Sequence, residues 1–380
     1  MSRGWFSEDD RVGKLCRLLD LIFCVTNHDS RTTNHGLLAS RADSDTIQHT
    51  MTRSGWRALR RAAVLWTAIG ILWIPVGTLA SESSPDVAPS LGEVYSYQPT
   101  IGGVIQELEE ETETYRRYSV RIPASVRSGI ARDRWVLVDY YQPRQPPPYQ
   151  AVVVLPHLSG GMRIERYMCR GFARQGIAAL QVQAPYHVLN PFERETDWLQ
   201  QAANTGDLVE IVQLVRQAVI DARQVADWLD RQPQIAPKHY GIMGISFGGN
   251  VAVLVAGVDR RFGSAAYLLS GGDLARLVKE SDVTMRVRSR LQEKGISAED
   301  VGRIWCLIDP LNAAPVARVV PTIMVNAKFD QTIPKACSDA LWQALGQPSQ
   351  IWLVADHTSA SLYAYFVRFR LIRHFRDTLL

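Results

Sequence analysis

From about Tyr115 onward the apolar positions fall into two alternating patterns. Short runs, Tyr115–Ile122, Trp135–Tyr141, Ala151–Leu155, Ile177–Val182, Tyr240–Ile245, Ala265–Leu269, Thr322–Val325 and Ile351–Val354, have the length and composition of strands. Ala151–Leu155 contains no polar residue, as expected of a strand buried on both faces. Between such runs the apolar spacing changes to three or four. Leu208, Ile211, Val215, Val219, Ala222, Val225 and Leu229 form the stripe of one long amphipathic helix. Ile164–Arg174, Asn250–Val258 and Phe366–Phe375 read as further helices. Strands alternating with helices predict an α/β fold whose mostly parallel sheet is flanked by helices. Tyr186–Asp207 and Gly272–Ala314 interrupt the alternation. Both follow strand ends, where open α/β sheets bind ligands, and both read as loops or a small cap over a pocket.

The pattern upstream is different. Residues 1–50 are polar and irregular and form an unassigned N-terminal extension. Arg53, Arg57, Arg60 and Arg61 then precede an uncharged run from Ala62 to Ala80, the signature of a membrane-targeting segment. Two readings of 51–80 stay open. One is a signal peptide starting at Met51, with Thr78-Leu79-Ala80 as its cleavage site. The other is an uncleaved anchor, since a run of about 19 residues just crosses a ~30 Å hydrocarbon core. The first predicts an exported protein, periplasmic or extracellular; the second predicts one anchored in the membrane. Residues 81–114 read as a linker, rich at first in Ser, Pro and Gly, leaving 115–380 as the folded domain.

Composition narrows the function classes. At 380 residues the chain is long enough for a full core. Forty-two Lys and Arg against 38 acidic residues leave a net charge of +4, too little to argue for nucleic acid. No basic patch with interleaved aromatics stands out along the chain beyond the N-terminal region. Five scattered Cys without a C-x-x-C pair argue against a zinc site or a disulfide scaffold.

The strongest chemical signal is Gly244-Ile245-Ser246-Phe247-Gly248, a G-x-S-x-G pattern with a strand before it and a helix after it. A chain that reverses this sharply needs Gly on either side of the central Ser, whose hydroxyl is left at the tip of the turn. Alone, a Ser hydroxyl is a weak nucleophile, so a carboxylate and a His are expected downstream, in that order. Asp330 follows the strand Thr322–Val325, and His357 follows Ile351–Val354. They are read as the acid and the base. Asp309, Asp273 and Asp356 are the other carboxylates in range, and His374 reads as a surface residue. The oxyanion donors are assigned to the backbone N–H groups of Phe247 and Leu158, with Ser159 the nearest alternative in the loop Pro156–Gly161. His157 and His187 follow strand ends and can line the pocket. Tyr186, His187, Trp198 and Trp305 are candidates for its apolar wall.

Together these residues resemble the α/β-hydrolase superfamily, and within it bacterial esterases related to dienelactone hydrolases and acetylxylan esterases. The resemblance runs from about Tyr115 to the end. It rests on Ala184-Pro185-Tyr186-His187, the Ser246 turn, Asp309-Pro310-Leu311 with Ala314, Asp330 through Pro334, and Leu341-Trp342-Gln343-Ala344-Leu345-Gly346. It implies an eight-stranded sheet, a Ser246, Asp330, His357 triad, a small-molecule ester substrate, and neither a metal nor an organic cofactor. The sequence departs from the family pattern at three places. His157 is followed by Leu158 where many members have Gly, Ala327 stands where Gly is common, and the turn carries Ser rather than the Cys of dienelactone hydrolases proper. The expected activity is hydrolysis of carboxylic esters through an acyl-enzyme. A serine peptidase or an acyltransferase of the same fold is an alternative. So, from another class, is a non-catalytic membrane-tethered binding protein.

Overall fold

The computed structural model describes residues 90–379 except 101, 127–133, 159–160, 187–207 and 238–239. The N-terminal extension, the uncharged run 62–80, His187 and Trp198 lie outside the described residues. Among the described residues no helix is long and apolar enough to cross a membrane.

Among the described residues nine strands form one sheet, β1 (Ile105–Glu111), β2 (Tyr115–Pro123), β3 (Trp135–Pro143), β4 (Gln150–Leu155), β5 (Ile177–Gln183), β6 (Tyr240–Ile245), β7 (Phe262–Leu268), β8 (Thr322–Ala327) and β9 (Ser349–Leu353). Their spatial order is β1-β2-β3-β5-β4-β6-β7-β8-β9. From β5 to β9 all neighbours are parallel, and β1 to β3 form an antiparallel meander joined to β5. The expected sheet of eight strands thus gains a ninth, β1, inside the stretch read as a linker. Its sequence IQELEEE shows no buried face, because β1 is an exposed edge strand. Its partners are polar: Glu107 pairs with Arg121 at 2.9 Å and Glu111 with Arg116 at 2.8 Å on β2. Such charges also blunt an edge against further strand pairing.

The helices are α1 (Leu91–Val94), α2 (Arg163–Arg174), α3 (Val209–Leu229), α4 (Phe247–Val258), α5 (Leu274–Glu280), α6 (Met285–Glu293), α7 (Ala298–Ile304), α8 (Pro310–Ala317), α9 (Lys335–Ala344) and α10 (Ala364–Thr378). The central strands alternate between two cores, which is why they read as unbroken apolar runs. Val153 and Ile242 face α3 and α4, whereas Val152, Val154 and Met243 face α2 and α10.

Helix α3 departs from its expected single stripe. Arg216, Gln217, Asp221 and Gln224 on it are buried as well. The segment around Tyr95 covers the outer face of α3, and Arg216 donates to the carbonyls of Val94 (2.6 Å) and Ser96 (3.1 Å). Asp221 is buried with its Oδ1 unpartnered, and burial raises its carboxyl well above the ordinary range.

The irregular stretch Gly272–Ala314 folds into α5, α6, α7, the 3₁₀ turn Trp305–Ile308 and the start of α8. Val278, Leu291, Val301 and Trp305 tie it into the core on the α3 side.

Candidate active site

Strand order reverses between β4 and β6: the chain leaves β4 toward β5 on one side and leaves β6 toward β7 on the other. Such a switch point opens a crevice at the carboxyl ends of the two strands. Leu155 ends β4 and pairs in register with Gly244 near the end of β6. Ser246 sits at this crevice.

Ser246 has φ 54° and ψ −121°, a conformation that a non-Gly residue adopts only when its surroundings enforce it. The tight passage from β6 into α4 enforces it here. A Cβ on Gly244 would overlap the Gly248 carbonyl, and one on Gly248 would overlap the Pro156 carbonyl. These two glycines let the chain fold back on itself and let α4 abut the loop after β4. The Ser246 N–H donates to the Leu268 carbonyl at 2.7 Å, which locks the turn to β7.

The three residues assigned from sequence meet. His357 Nε2 lies 3.0 Å from Ser246 Oγ, and His357 Nδ1 lies 2.7 Å from Asp330 Oδ2. The other carboxylate oxygen, Asp330 Oδ1, accepts the backbone N–H groups of Thr332 (2.9 Å) and Ile333 (2.8 Å). One carboxylate therefore closes its own turn and orients the imidazole. Its side chain is only 4% exposed, against 22% for His357. Asp356 stays local: its Oδ1 accepts the N–H groups of Thr358 and Ser359, and the Ser359 backbone bond first of all lowers its carboxyl pKa. Asp309 and Asp273 cap α8 and α5, and neither is hydrogen-bonded to His357. His374, expected at the surface, is half-buried with Nε2 beside Ser264 Oγ and the Ala265 carbonyl; burial lowers its pKa.

A cavity of about 380 Å³ opens over Ser246 and His357, walled by His157, Ile164, Met168, Leu269, Ala364 and Val367 among others. Trp305 takes no part in it, contrary to expectation. Its indole is buried in the α3-side core and donates to the Leu208 carbonyl at 3.1 Å. Nor does any described residue of Gly272–Ala314 line the cavity. An aromatic in an irregular segment can wall a pocket, but here it fixes that segment to the start of α3.

Phe247 is the first residue of α4, where the helix dipole and N–H groups favour negative charge. Leu158, on the loop after β4, is partly buried against the same core as Phe247. Tyr186 joins the two: its ring packs edge-on against Phe247 at 5.0 Å, and its hydroxyl donates to the Pro156 carbonyl at 3.0 Å. The loop has a second tie that was missed in the sequence. Glu165, fully buried in the first turn of α2, accepts both the His157 backbone N–H (3.0 Å) and His157 Nδ1 (2.6 Å) through Oε1. Burial pushes the Glu165 carboxyl up, but the His157 hydrogen bonds and charge outweigh it and hold the pKa below the ordinary range. The signal was present, since Glu165 shares the buried stripe of α2 with Met168, Cys169 and Phe172, where a carboxylate needs a partner. The His157 N–H is thus committed to Glu165. Among the described residues no cluster of three His, Cys, Asp or Glu could hold a metal ion.

Residues 138–280 match the dienelactone hydrolase family. An uncharacterized protein of Mycobacterium tuberculosis is 26% identical over 153 residues, 40% of this chain and 36% of that protein. An uncharacterized protein of Bacillus subtilis is 26% identical over 76 residues, 20% of this chain and 66% of that one. The chain thus spans about a third of the length of the mycobacterial relative. Among solved structures, acetyl xylan esterase 1 from Thermoanaerobacterium superposes with a TM-score of 0.59 at 13% identity, covering 75% of this chain and 91% of that one. Acetyl xylan esterase from Paenibacillus gives 0.56 at 18% identity, covering 74% and 90%. The chain therefore has the α/β-hydrolase fold, and its residues 138–280 are similar to the dienelactone hydrolase family.

Proposed function

We propose that this chain is a serine hydrolase that cleaves small carboxylic esters through an acyl-enzyme on Ser246. The observation that carries the reading is the unbroken relay from Ser246 Oγ through His357 to Asp330, at 3.0 and 2.7 Å. Ser246 Oγ attacks the ester carbonyl while His357 Nε2 takes its proton. Asp330 keeps the proton on Nδ1 and stabilises the imidazolium. The carbonyl oxygen turns toward the Phe247 and Leu158 N–H groups as it becomes negative. His357 then hands the proton to the departing alcohol, and the same steps with water in place of Ser246 release the acid and restore the hydroxyl. The largely apolar cavity of about 380 Å³ suits a small acyl or alcohol group. Ester cleavage is also the activity in the names of the two acetyl xylan esterases that share the fold.

Labelling by a fluorophosphonate probe tests the reading. The wild type takes up the label and Ser246→Ala does not. A folded wild type that remains unlabelled overturns it in favour of a non-catalytic binding protein. A panel of p-nitrophenyl esters and aminoacyl amides then separates esterase from peptidase. Product carrying an added alcohol instead of water marks an acyltransferase.

A further inference from the structure

We propose that the outer face of α10 and α2 docks on an anionic phospholipid bilayer, with the mouth of the Ser246 cavity turned to the lipid surface. The two helices lie on the same side of the sheet and touch. Phe172 meets Phe375 edge-on at 5.7 Å, and the Arg368 guanidinium stacks on Tyr167 at 4.0 Å. Their solvent sides therefore form one surface. That surface is cationic: α2 and α10 carry eight arginines, and their two carboxylates are Glu165, buried under His157, and Asp377. Eight arginines less two carboxylates leave +6, offset in part by Glu110 of β1, 3.7 Å from Arg170.

The same surface exposes large apolar side chains at one end. Leu362 is 83% exposed, Tyr365 73%, Phe369 61% and Phe366 44%. Val354, beside them through the Tyr363 hydroxyl on its carbonyl, is 66% exposed. Arg370, Arg373 and Arg376 follow on the solvent side of α10, toward its C-terminal end. A groove of about 480 Å³ runs along the helix, with Tyr365, Phe369 and Ile372 at its apolar part and Arg368, Arg373, Arg376, Gln175 and Asp377 at its polar part, Asp377 lying 3.6 Å from Arg373. Aromatic and aliphatic side chains next to arginines match the acyl boundary and the phosphates of a lipid surface. A nucleic acid would meet the arginines but would leave Leu362, Phe366 and Val354 exposed to water. Ser361, Ala364 and Val367, immediately beside the exposed cluster, line the cavity over Ser246, so docking brings the site to the interface.

The test uses the full chain with vesicles of phosphatidylcholine, with and without admixed phosphatidylglycerol, doped with a diazirine-acyl lipid. Cross-linked peptides are mapped by mass spectrometry. Expected are cross-links on Leu362, Tyr365, Phe366 or Phe369, with tighter partitioning to the anionic vesicles. Arg370→Gln with Arg373→Gln weakens that partitioning about thirtyfold, and Tyr365→Ser with Phe369→Ser at least about tenfold. Far-ultraviolet circular dichroism confirms that both variants are folded. Cross-links confined to other segments, 62–80 included, overturn the proposal. So does partitioning that neither variant changes, or binding to an RNA oligonucleotide with no cross-link on these four residues.

Discussion

Replacing Asp330 by Asn asks whether this carboxylate controls the imidazole. Asp330 Oδ1 already accepts two backbone N–H groups, from Thr332 and Ile333, at 2.9 and 2.8 Å. An Asn side chain keeps its carbonyl oxygen there, because an N–H donor cannot face two others. Its NH₂ group then occupies the place of Oδ2, 2.7 Å from His357 Nδ1. A donor at that position forces Nδ1 to become an acceptor, and the ring proton moves to Nε2. Nε2–H can donate to Ser246 Oγ but cannot take its proton. The fold is preserved while the base is lost. Loss of a correctly oriented base by this route lowers kcat by about 10³–10⁴-fold, roughly 4–5.5 kcal/mol in the barrier. The assay is steady-state hydrolysis of a p-nitrophenyl ester by wild type and Asp330→Asn, with thermal unfolding measured on both. The expected result is that large fall in kcat with a Tm within a few degrees of wild type. A variant that keeps its Tm and at least a tenth of wild-type kcat refutes the tautomer argument and the role of Asp330.

Three further outcomes follow from the packing. Gly248→Ala places a methyl group against the Pro156 carbonyl and should cost at least about 1–3 kcal/mol of stability together with fluorophosphonate labelling; a stable, fully labelled variant contradicts the close approach. Glu165→Gln leaves His157 without its buried charge partner and should cost about 1–3 kcal/mol, with kcat falling more than KM rises; unchanged kcat means the loop after β4 is held without it. Asp221→Asn should stabilise the protein at neutral pH by about 1–3 kcal/mol. The sign follows from burial, which raises the folded-state pKa above the unfolded value: the native state binds the extra proton, and wild-type stability falls as pH rises above about 4. Denaturant melts of both proteins at pH 4 and pH 7 check this; a gain that is no larger at pH 7 than at pH 4 refutes it.

Local rules accounted for much of the site. The Ser246 turn was legible because the clash that demands Gly at 244 arises with Gly248, four positions on, whereas the need for Gly at 248 comes from the distant Pro156 carbonyl. Asp330 and His357 were legible because each follows a strand whose apolar run marks where it ends, and parallel strands bring such ends to one edge of the sheet. Helix α2 and the strands from β2 onward followed from periodicity to within a few residues.

What lay beyond the sequence depends on what packs opposite each residue. Strand β1 has no apolar alternation, and it is a strand through its backbone pairing with β2, alongside the ion pairs Glu107–Arg121 and Glu111–Arg116. The polar stripe of α3 looks solvent-facing until the segment around Tyr95 covers it. Trp305 could have faced a ligand or a core, and the neighbouring helices decided for the core. Helix α10 itself interleaves Arg with Tyr and Phe, contrary to the expectation of no such run beyond the N-terminal region, but its arginines and those of α2 stand nearly 200 positions apart and only the fold joins them into one surface. Periodicity and turn chemistry are short-ranged and are written in neighbouring residues. Burial, charge pairing and surface shape are properties of contacts that exist only once the sheet has gathered distant segments.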